Sequence, residues 1–391
     1  MPNELIEKAG AALGIRLAHS GDLNLLNSRR RALLVSRGAR RPDPLAPWVT
    51  QTAAATKLLL AQGEVLVTSA GRTAYDVALF ACFKARGSAI VVLESPPTPD
   101  DEWRKYLPRH HLLIHPVEPP DPETAASRRD LLIGCFADCA YAIHMRDAGN
   151  MAKTAGLMFR QGALLEPFHM PPAAQKAPPP KNDKIHIPEG SALDESAWDY
   201  LTHFTREPDG PWPGEERAEY LEWLCAGGDS APRDSFATLC RILREGKIRA
   251  CGRLMPGLAP MVCFTALSPA ATSRLRVWRR GLLRWSFTPY GLAIKSGARD
   301  ELGANPVRYA SATEIRNAPP GERRYMQRER SGQLDWTREN EWRAAGDVNL
   351  SRIPRGKLLA LVETPAQLQH IQDTFGIAAA IAAPGRRPDA V

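Results

Sequence analysis

Four groups of residues in this 391-residue chain are of types, and at spacings, that could do chemistry. Glu339-Asn340-Glu341-Trp342-Arg343, ahead of a turn signalled by Gly346-Asp347, sets two carboxylates two residues apart. On a strand that spacing puts both on one face, where one could act as a general base; the same pattern also describes a solvated, charged strand. In Tyr200-Leu201-Thr202-His203-Phe204-Thr205-Arg206, His203 lies between apolar neighbours on a β-type run and so points to the face opposite theirs. A lone strand histidine is more often structural than catalytic. Arg274, Arg276, Arg279, Arg280 and Arg284 interleave with Trp278 and Trp285, a mixture of phosphate-gripping and base-stacking groups suited to nucleic acid. The competing reading is a helix whose Leu275, Trp278 and Leu282 face a core. Finally, Ser69-Ala70-Gly71-Arg72-Thr73 joins a strand to a helix, so that backbone N–H groups at the helix start could hold an anion, with Tyr75 and Asp76 one turn further on in reach of a ribose. A tight strand-to-helix turn would use the same residues.

The elements that must position these groups fall into two patterns. From Ala32 to about Phe168, β-rich runs (Ala32–Ser36, Glu64–Ser69, Ala89–Glu94, Leu112–Val117 and around Ala140–Met145) alternate with helical stretches near Trp48–Gln62 and Thr73–Arg86, which end at Gly63 and Gly87. Such alternation argues for a parallel sheet covered by helices. After Met170 the proline clusters and lysines favour a stiff, extended connection. The expected organisation is a first domain over residues 1–170, a linker over 171–190 and a second domain over 191–384. In the second, a helix over Ser235–Gly246 with Asp234 or Ser235 as cap leads towards a strand at Met261–Thr265. Further strands are expected at Pro289–Ile294, near Pro306–Tyr309 and over Glu339–Arg343. A last helix is marked by Thr364, Pro365, Gln367 and the terminating Gly376. The tail after Pro384 should fray.

Composition narrows the partners. With 44% hydrophobic and 24% charged residues the chain is neither a disordered nor a membrane type, and the absence of a long apolar stretch or an opening signal sequence predicts a cytoplasmic location. The seven cysteines, without a C-x-x-C pair, read as reduced and mostly buried thiols, with no metal site. The net charge of +8 is uneven: between Ala271 and Ala360 eighteen Lys or Arg face nine Asp or Glu. A polyanion, DNA above all, suits that field; a soluble basic surface is the plainer alternative.

Two resemblances sharpen these expectations. The Ser69–Thr73 junction together with the stretch around Gly149-Asn150 resembles the SLOG group of Rossmann-like nucleotide-binding domains, related to DprA, over roughly Ser28 to Pro167. A single glycine stands where that group often shows a pair. The resemblance implies a nucleotide ligand held by Ser69, Gly71 and Thr73, or a domain kept as scaffold. In the second domain the order His203, then Leu239, Ile242, Leu243 and Gly246, then Cys263-Phe264-Thr265, then Tyr290-Gly291, then Glu341-Trp342-Arg343 resembles the DarT and AbiGi-like branch of the ADP-ribosyltransferase superfamily over Trp198–Thr364. It implies an α+β domain with a split sheet, NAD as cofactor, His203 and Thr205 positioning it, Tyr290 stacking on the nicotinamide, and Glu341 as the catalytic carboxylate that stabilises a developing cation. Glu339 would activate the acceptor. His203 and Glu341 are expected to share one cleft. The implied function is NAD-dependent ADP-ribosyl transfer to DNA or another nucleic acid, in phage defence or DNA modification. Two alternatives stay open: the same fold modifying a base in DNA, such as hydrating the nitrile of 7-cyano-7-deazaguanine, or a non-catalytic nucleotide-sensing regulator.

Overall fold

The computed structural model describes residues 2–36, 42–118, 121–168, 197–252, 255, 259–279, 284–329 and 336–382. The chain divides into one unit of Met1–Lys176 with Asp209–Ala231, and another of Ala177–Pro208 with Pro232–Val391. Residues 209–231, which the sequence pattern assigned to the second domain, thus return to the first. The proline-rich connection and the tail after Pro384 lie outside the described residues.

In the first unit the buried aliphatic runs become strands β1 (Leu17–Gly21), β2 (Arg30–Val35), β3 (Val65–Thr68), β4 (Ser88–Val92), β5 (His110–Pro116), β6 (Cys139–His144) and β7 (Leu164–Pro167). Among the described residues they form one sheet in the order β1-β5-β4-β3-β2-β6-β7, parallel throughout except for β1, which runs antiparallel on β5. Helices α1 (Pro2–Ala12), α2 (Pro47–Ala61), α3 (Thr73–Lys84), α4 (Pro122–Phe136), α5 (Asn150–Arg160) and α6 (Arg217–Cys225) accompany it. The chain walks outward from β2 to β5 and then resumes on the other side of β2 with β6, the doubly wound arrangement expected. Two apolar clusters, one including Leu66, Val91 and Phe80 and the other Leu34, Ile90 and Phe136, lie against alternating residues of these strands. The stop of α3 differs from expectation: Arg86, not Gly87, takes the left-handed conformation (φ 55°). At Gly87 a Cβ would meet the methyl groups of Leu60 at 2.5 and 2.6 Å, so the Leu60 side chain would have to shift to admit a larger residue.

The second unit is α+β. Its main sheet runs β14 (Ala304–Pro306), β17 (Glu341–Ala345), β10 (Met261–Thr265), β8 (Tyr200–Phe204), β13 (Gly291–Lys295), β19 (Leu358–Val362) and β20 (Ala378–Ile381), antiparallel except between β19 and β20. The sheet parts between β8 and β10, whose pairing is reduced to Thr202 opposite Thr265, whereas β10 and β17 pair along five residues. One face packs Leu201, Val262, Phe264, Leu292, Ile294 and Val362 against α7 (Ser235–Glu245) and α12 (Pro365–Phe375). Asp234 caps α7 and Gly246 ends it; Thr364 and Gln367 form the capping box of α12 and Gly376 ends it, as the sequence signals require.

Smaller elements surround this sheet: β9 (Lys247–Ile248) pairs with β18 (Val348–Asn349), and α8 (Pro269–Arg274) precedes β11 (Trp278–Arg279) and β12 (Arg284–Trp285). After α9 (Arg299–Leu302) and β14 come β15 (Arg308–Ala310), α10 (Ala312–Asn317), α11 (Pro320–Arg323) and β16 (Met326–Arg328), with β15 parallel to β16. Where the arginine-rich stretch reads as a possible helix, its described residues include two short antiparallel strands, with Trp278 opposite Trp285 and Arg279 opposite Arg284. Cross-strand edge-to-face packing of the two indoles, centroids 5.5 Å apart, favours the paired strands, and the helix described before them, α8, has six residues.

Candidate active site

Glu341 opens β17 directly opposite Thr265, and Thr265 stands opposite Thr202. Directly paired residues share a face, so Thr202, Thr265 and Glu341 form a row across three strands, with Cys263 and Arg343 on the same side one step along. Arg343, 1% exposed, grips Glu341 with both arms, Nε to Oε1 at 2.9 Å and Nη2 to Oε2 at 3.1 Å. Its remaining N–H groups go to the carbonyls of Arg324 (2.9 Å) and Met326 (3.1 Å) and to Gln327 Oε1 (2.7 Å). A buried guanidinium so fully bonded fixes the carboxylate it holds.

Glu339 is brought to the same place by a different route. It lies in a turn of 3-10 helix, Trp336–Glu339, and Asn340 takes a left-handed conformation (φ 43°) before the strand begins. The two glutamates therefore do not sit on one strand face as the spacing suggested; the reversal at Asn340 re-aims Glu339. The turn is tied down by Thr265 Oγ1, which donates to the Glu339 carbonyl at 2.5 Å, and by Ala266 N–H, which donates to the Asn340 carbonyl at 3.1 Å. Arg279 of β11 reaches Glu339 at 3.1 Å. Burial, with Glu341 as a like-charged neighbour, holds the Glu339 carboxyl above its ordinary range despite Arg279. Burial and Glu341 likewise push the Cys263 thiol up to about 12.

His203 occupies the parting of the sheet. Its Nδ1–H donates to the Cys263 carbonyl at 2.9 Å, and its ring packs edge-on against Phe264. Desolvation brings its pKa down to about 4, so the imidazole is neutral with Nε2 as an acceptor. Strand alternation gives Thr202, not His203, the face that carries Glu341. Arg206 links the two regions: His203 feels its charge, and so do Glu339, Glu341 and Cys263. Arg206 Nη2 donates to the Ser286 carbonyl at 2.8 Å, while its Nε is buried without a partner. Two more polar atoms of this region are buried without hydrogen-bond partners, Thr202 Oγ1 and Tyr309 Oη. Tyr309 stands opposite Gln327 and lies near the Glu341 amide without hydrogen-bond geometry, and burial raises its hydroxyl to about 12.

Other expected contacts are spent on structure. Tyr290 donates to Glu363 at 2.6 Å, accepts from Gln367 at 3.2 Å and packs on Phe236, which leaves no free hydroxyl for a cofactor. Buried Thr205 donates to the Ser235 carbonyl at 2.8 Å, fastening β8 to the start of α7. Arg276 stacks over Trp285, Arg274 is exposed and Arg284 half-buried, and Arg280 lies outside the described residues.

In the first unit the Ser69–Thr73 junction is closed from within. The Gly71 N–H, with φ at +80°, donates to buried Asp76 at 2.8 Å. Arg217 of α6 in turn bonds Asp76 at 2.8 Å and Thr73 Oγ1 at 2.9 Å. The expected anion cradle thus holds a carboxylate of its own and that carboxylate's arginine. Ser69 Oγ remains buried without a partner.

Arg343 was legible in principle, because a residue two beyond Glu341 shares its face. Arg206 and Tyr309 carried no local signal, and Arg217 lies 141 residues from the aspartate it pairs with. Among the described residues no cluster of metal-binding side chains occurs and no helix is long and apolar enough to cross a membrane. Cys251 is exposed, while the other six cysteines are buried or partly buried.

No protein-family profile matches the chain, and no curated protein matches it. Among solved structures, DNA processing protein A from Helicobacter pylori, described for its single-stranded DNA binding mode, aligns over 39% of this chain and 70% of its own at 17% identity, with a TM-score of 0.31. DNA processing protein A (DprA) from Streptococcus pneumoniae aligns over 59% of this chain and 65% of its own at 14% identity and a TM-score of 0.32. The Moco carrier protein of Chlamydomonas rheinhardtii aligns over 37% and 78%, at 12% identity and a TM-score of 0.27.

Proposed function

We propose that the second unit is a transferase-type enzyme that acts on nucleic acid, with Glu341 as its catalytic carboxylate and NAD as the donor. The observation that carries this reading is the row Thr202–Thr265–Glu341 at the line where the sheet parts, flanked by buried polar atoms, Thr202 Oγ1, Arg206 Nε and Tyr309 Oη, that lack partners. Buried polar groups are nearly always satisfied, so orphaned atoms on Thr202, two strands along the row from Glu341, and on Arg206 and Tyr309, which both feel its charge, fit a ligand rich in hydroxyl and amide groups. A ribose and a carboxamide have that character. Glu341, held in place by Arg343, would stabilise positive charge developing at an anomeric carbon, an interaction worth most where it is preorganised and dry. His203 Nε2 would accept from a ribose hydroxyl. Tyr290, committed to Glu363 and Gln367, is not assigned to the nicotinamide.

The test is incubation of the purified protein with NAD and with single-stranded or duplex DNA, followed by mass spectrometry of both. Release of nicotinamide with a matching mass gain on DNA supports transfer; neither change in any combination removes it.

A second reading is favoured by Cys263, on the same face as Glu341. A thiol beside a carboxylate can add to the carbon of a base nitrile, Glu341 relaying the thiol proton to the nitrile nitrogen to give a thioimidate; water then adds to that carbon and the thiol leaves with its proton restored, giving the amide. DNA carrying 7-cyano-7-deazaguanine would then gain the mass of one water without NAD. In either case the first unit supports or regulates, and a nucleotide ligand there would have to displace Arg217 from Asp76.

A further inference from the structure

The segment from Arg308 to Arg328 forms a small lobe of its own: β15, α10, α11 and β16 around Ala310, Ile315, Ala318 and Met326. It holds five arginines, Arg308, Arg316, Arg323, Arg324 and Arg328, against two glutamates, Glu314 and Glu322. Glu314 turns inward on its own helix, where it closes a capping box with Ser311, although it still feels the charge of Arg308. Among the described residues none of the five arginines forms a salt bridge with a carboxylate. Their neighbours are neutral: Arg323 donates to the carbonyls of Ala318 (2.6 Å) and Arg316 (2.8 Å), Arg324 to that of Gly321 (3.0 Å), and Arg308 to Met326 Sδ (3.5 Å). Carbonyl dipoles orient a guanidinium without cancelling its charge, so the lobe carries held and uncompensated positive groups. Arg308, Arg316 and Arg328 are exposed.

The lobe is also fastened to the carboxylate pocket. Arg343, which clamps Glu341, bonds the carbonyls of Arg324 and Met326 on the approach to and start of β16, and Gln327 next along. The Val307 N–H at the entrance to β15 donates to the Glu341 carbonyl at 2.8 Å. A polyanion lying on this lobe is therefore held beside Glu341.

We propose that the lobe formed by Arg308–Arg328 is the docking surface for a nucleic-acid strand, gripped through its phosphates, next to the Glu341 pocket. The inference rests on the reading of the substrate as nucleic acid and moves the interface away from the Arg274–Arg284 stretch. There Arg279 is drawn to Glu339 and Arg276 is stacked on Trp285. The carboxylate pair itself repels phosphate, so the backbone must be held by a neighbouring surface while a base or sugar enters the pocket.

The experiment is fluorescence anisotropy of labelled single-stranded and duplex oligonucleotides with the full chain over a range of salt. The variants are Arg308→Ala/Arg316→Ala/Arg328→Ala, the corresponding triple Lys variant, and Arg274→Ala as a comparison. Each lost phosphate contact lowers the slope of log affinity against log salt by about 0.7 for a single strand and 0.9 for a duplex. The triple Ala variant is expected to lose about two to three units of slope, and the Lys variant and Arg274→Ala to keep it unchanged. Because the substituted side chains are exposed and Lys preserves charge, loss in both triple variants alike marks a folding defect, and single Ala variants, each lowering the slope by less than one unit, then decide. The inference is overturned by an unchanged slope in the Ala variants, by a wild-type protein that binds neither oligonucleotide, or by one that prefers anionic vesicles or an acidic peptide. Failure of the enzymatic reading shows separately, as DNA binding through the lobe with no change in mass of DNA or NAD.

Discussion

His203 and Glu341 show how differently two polar residues of one sheet can be held. His203 is neutral because it is desolvated while its Nδ1–H is bonded to a carbonyl. A base whose pKa is depressed on folding contributes stability above its unfolded pKa, and that contribution is lost as the pH falls through the folded value. Wild-type protein should accordingly lose on the order of 3 kcal/mol through this residue between about pH 6.5 and 4, and His203→Asn should lack that part of the slope in urea titrations across the same window. An identical pH dependence in the two proteins would mean that the imidazole is solvated. Glu341→Gln is expected to abolish turnover, because an uncharged amide cannot stabilise a cation, and also to cost about 1 to 3 kcal/mol, because an amide N–H would face the Arg343 fork. Circular dichroism below the lowered melting temperature separates the two effects. Glu341 was singled out through the resemblance, and Arg343 two residues on shares its strand face; the orphaned atoms of Arg206 and Tyr309 were not legible, since each depends on which distant strands become neighbours.

At the level of elements, the decisive feature is the reversal at Asn340. Sequence spacing treats Glu339 and Glu341 as partners on a strand, and only the left-handed residue between them explains why they converge from two elements. Asn tolerates that conformation better than most residues and Gly better still. Asn340→Ala should therefore lower stability by about 1 kcal/mol and reduce any activity further by moving Glu339, whereas Asn340→Gly should preserve both. Equal melting temperatures for the two variants would show that the turn is not strained. The capped helices α7 and α12 and the parallel strands β2 to β6 were readable because their signals are local: an Asp or Thr cap, a terminal Gly, a short aliphatic run. The strand pair at Trp278 and Trp285 was not, because helical spacing and cross-strand pairing use the same tryptophans and only the pairing partner decides between them.

Over the whole molecule, the chain leaves the second unit after β8, returns to the first over Asp209–Ala231, and resumes the second with α7. No composition shift marks that return, which is held by Arg217 on Asp76 and by Lys84 and Lys105 on Glu222 and Glu216. The latter two pairs are exposed and contribute little. Asp76 is 1% exposed, so Arg217→Ala leaves a buried carboxylate uncompensated and should cost about 3 to 5 kcal/mol in urea unfolding, much of it recovered when Asp76 is also made Ala. A loss below 1 kcal/mol would mean that Asp76 is solvated or protonated without its arginine. The pocket of Glu341 carries the proposed chemistry. Its most direct measurement is mass spectrometry of a DNA oligonucleotide incubated with NAD and either wild-type protein or Glu341→Gln, both verified as folded. A mass gain on DNA with nicotinamide release is expected for the wild type and none for the variant; equal modification by the two proteins would contradict a catalytic role for Glu341.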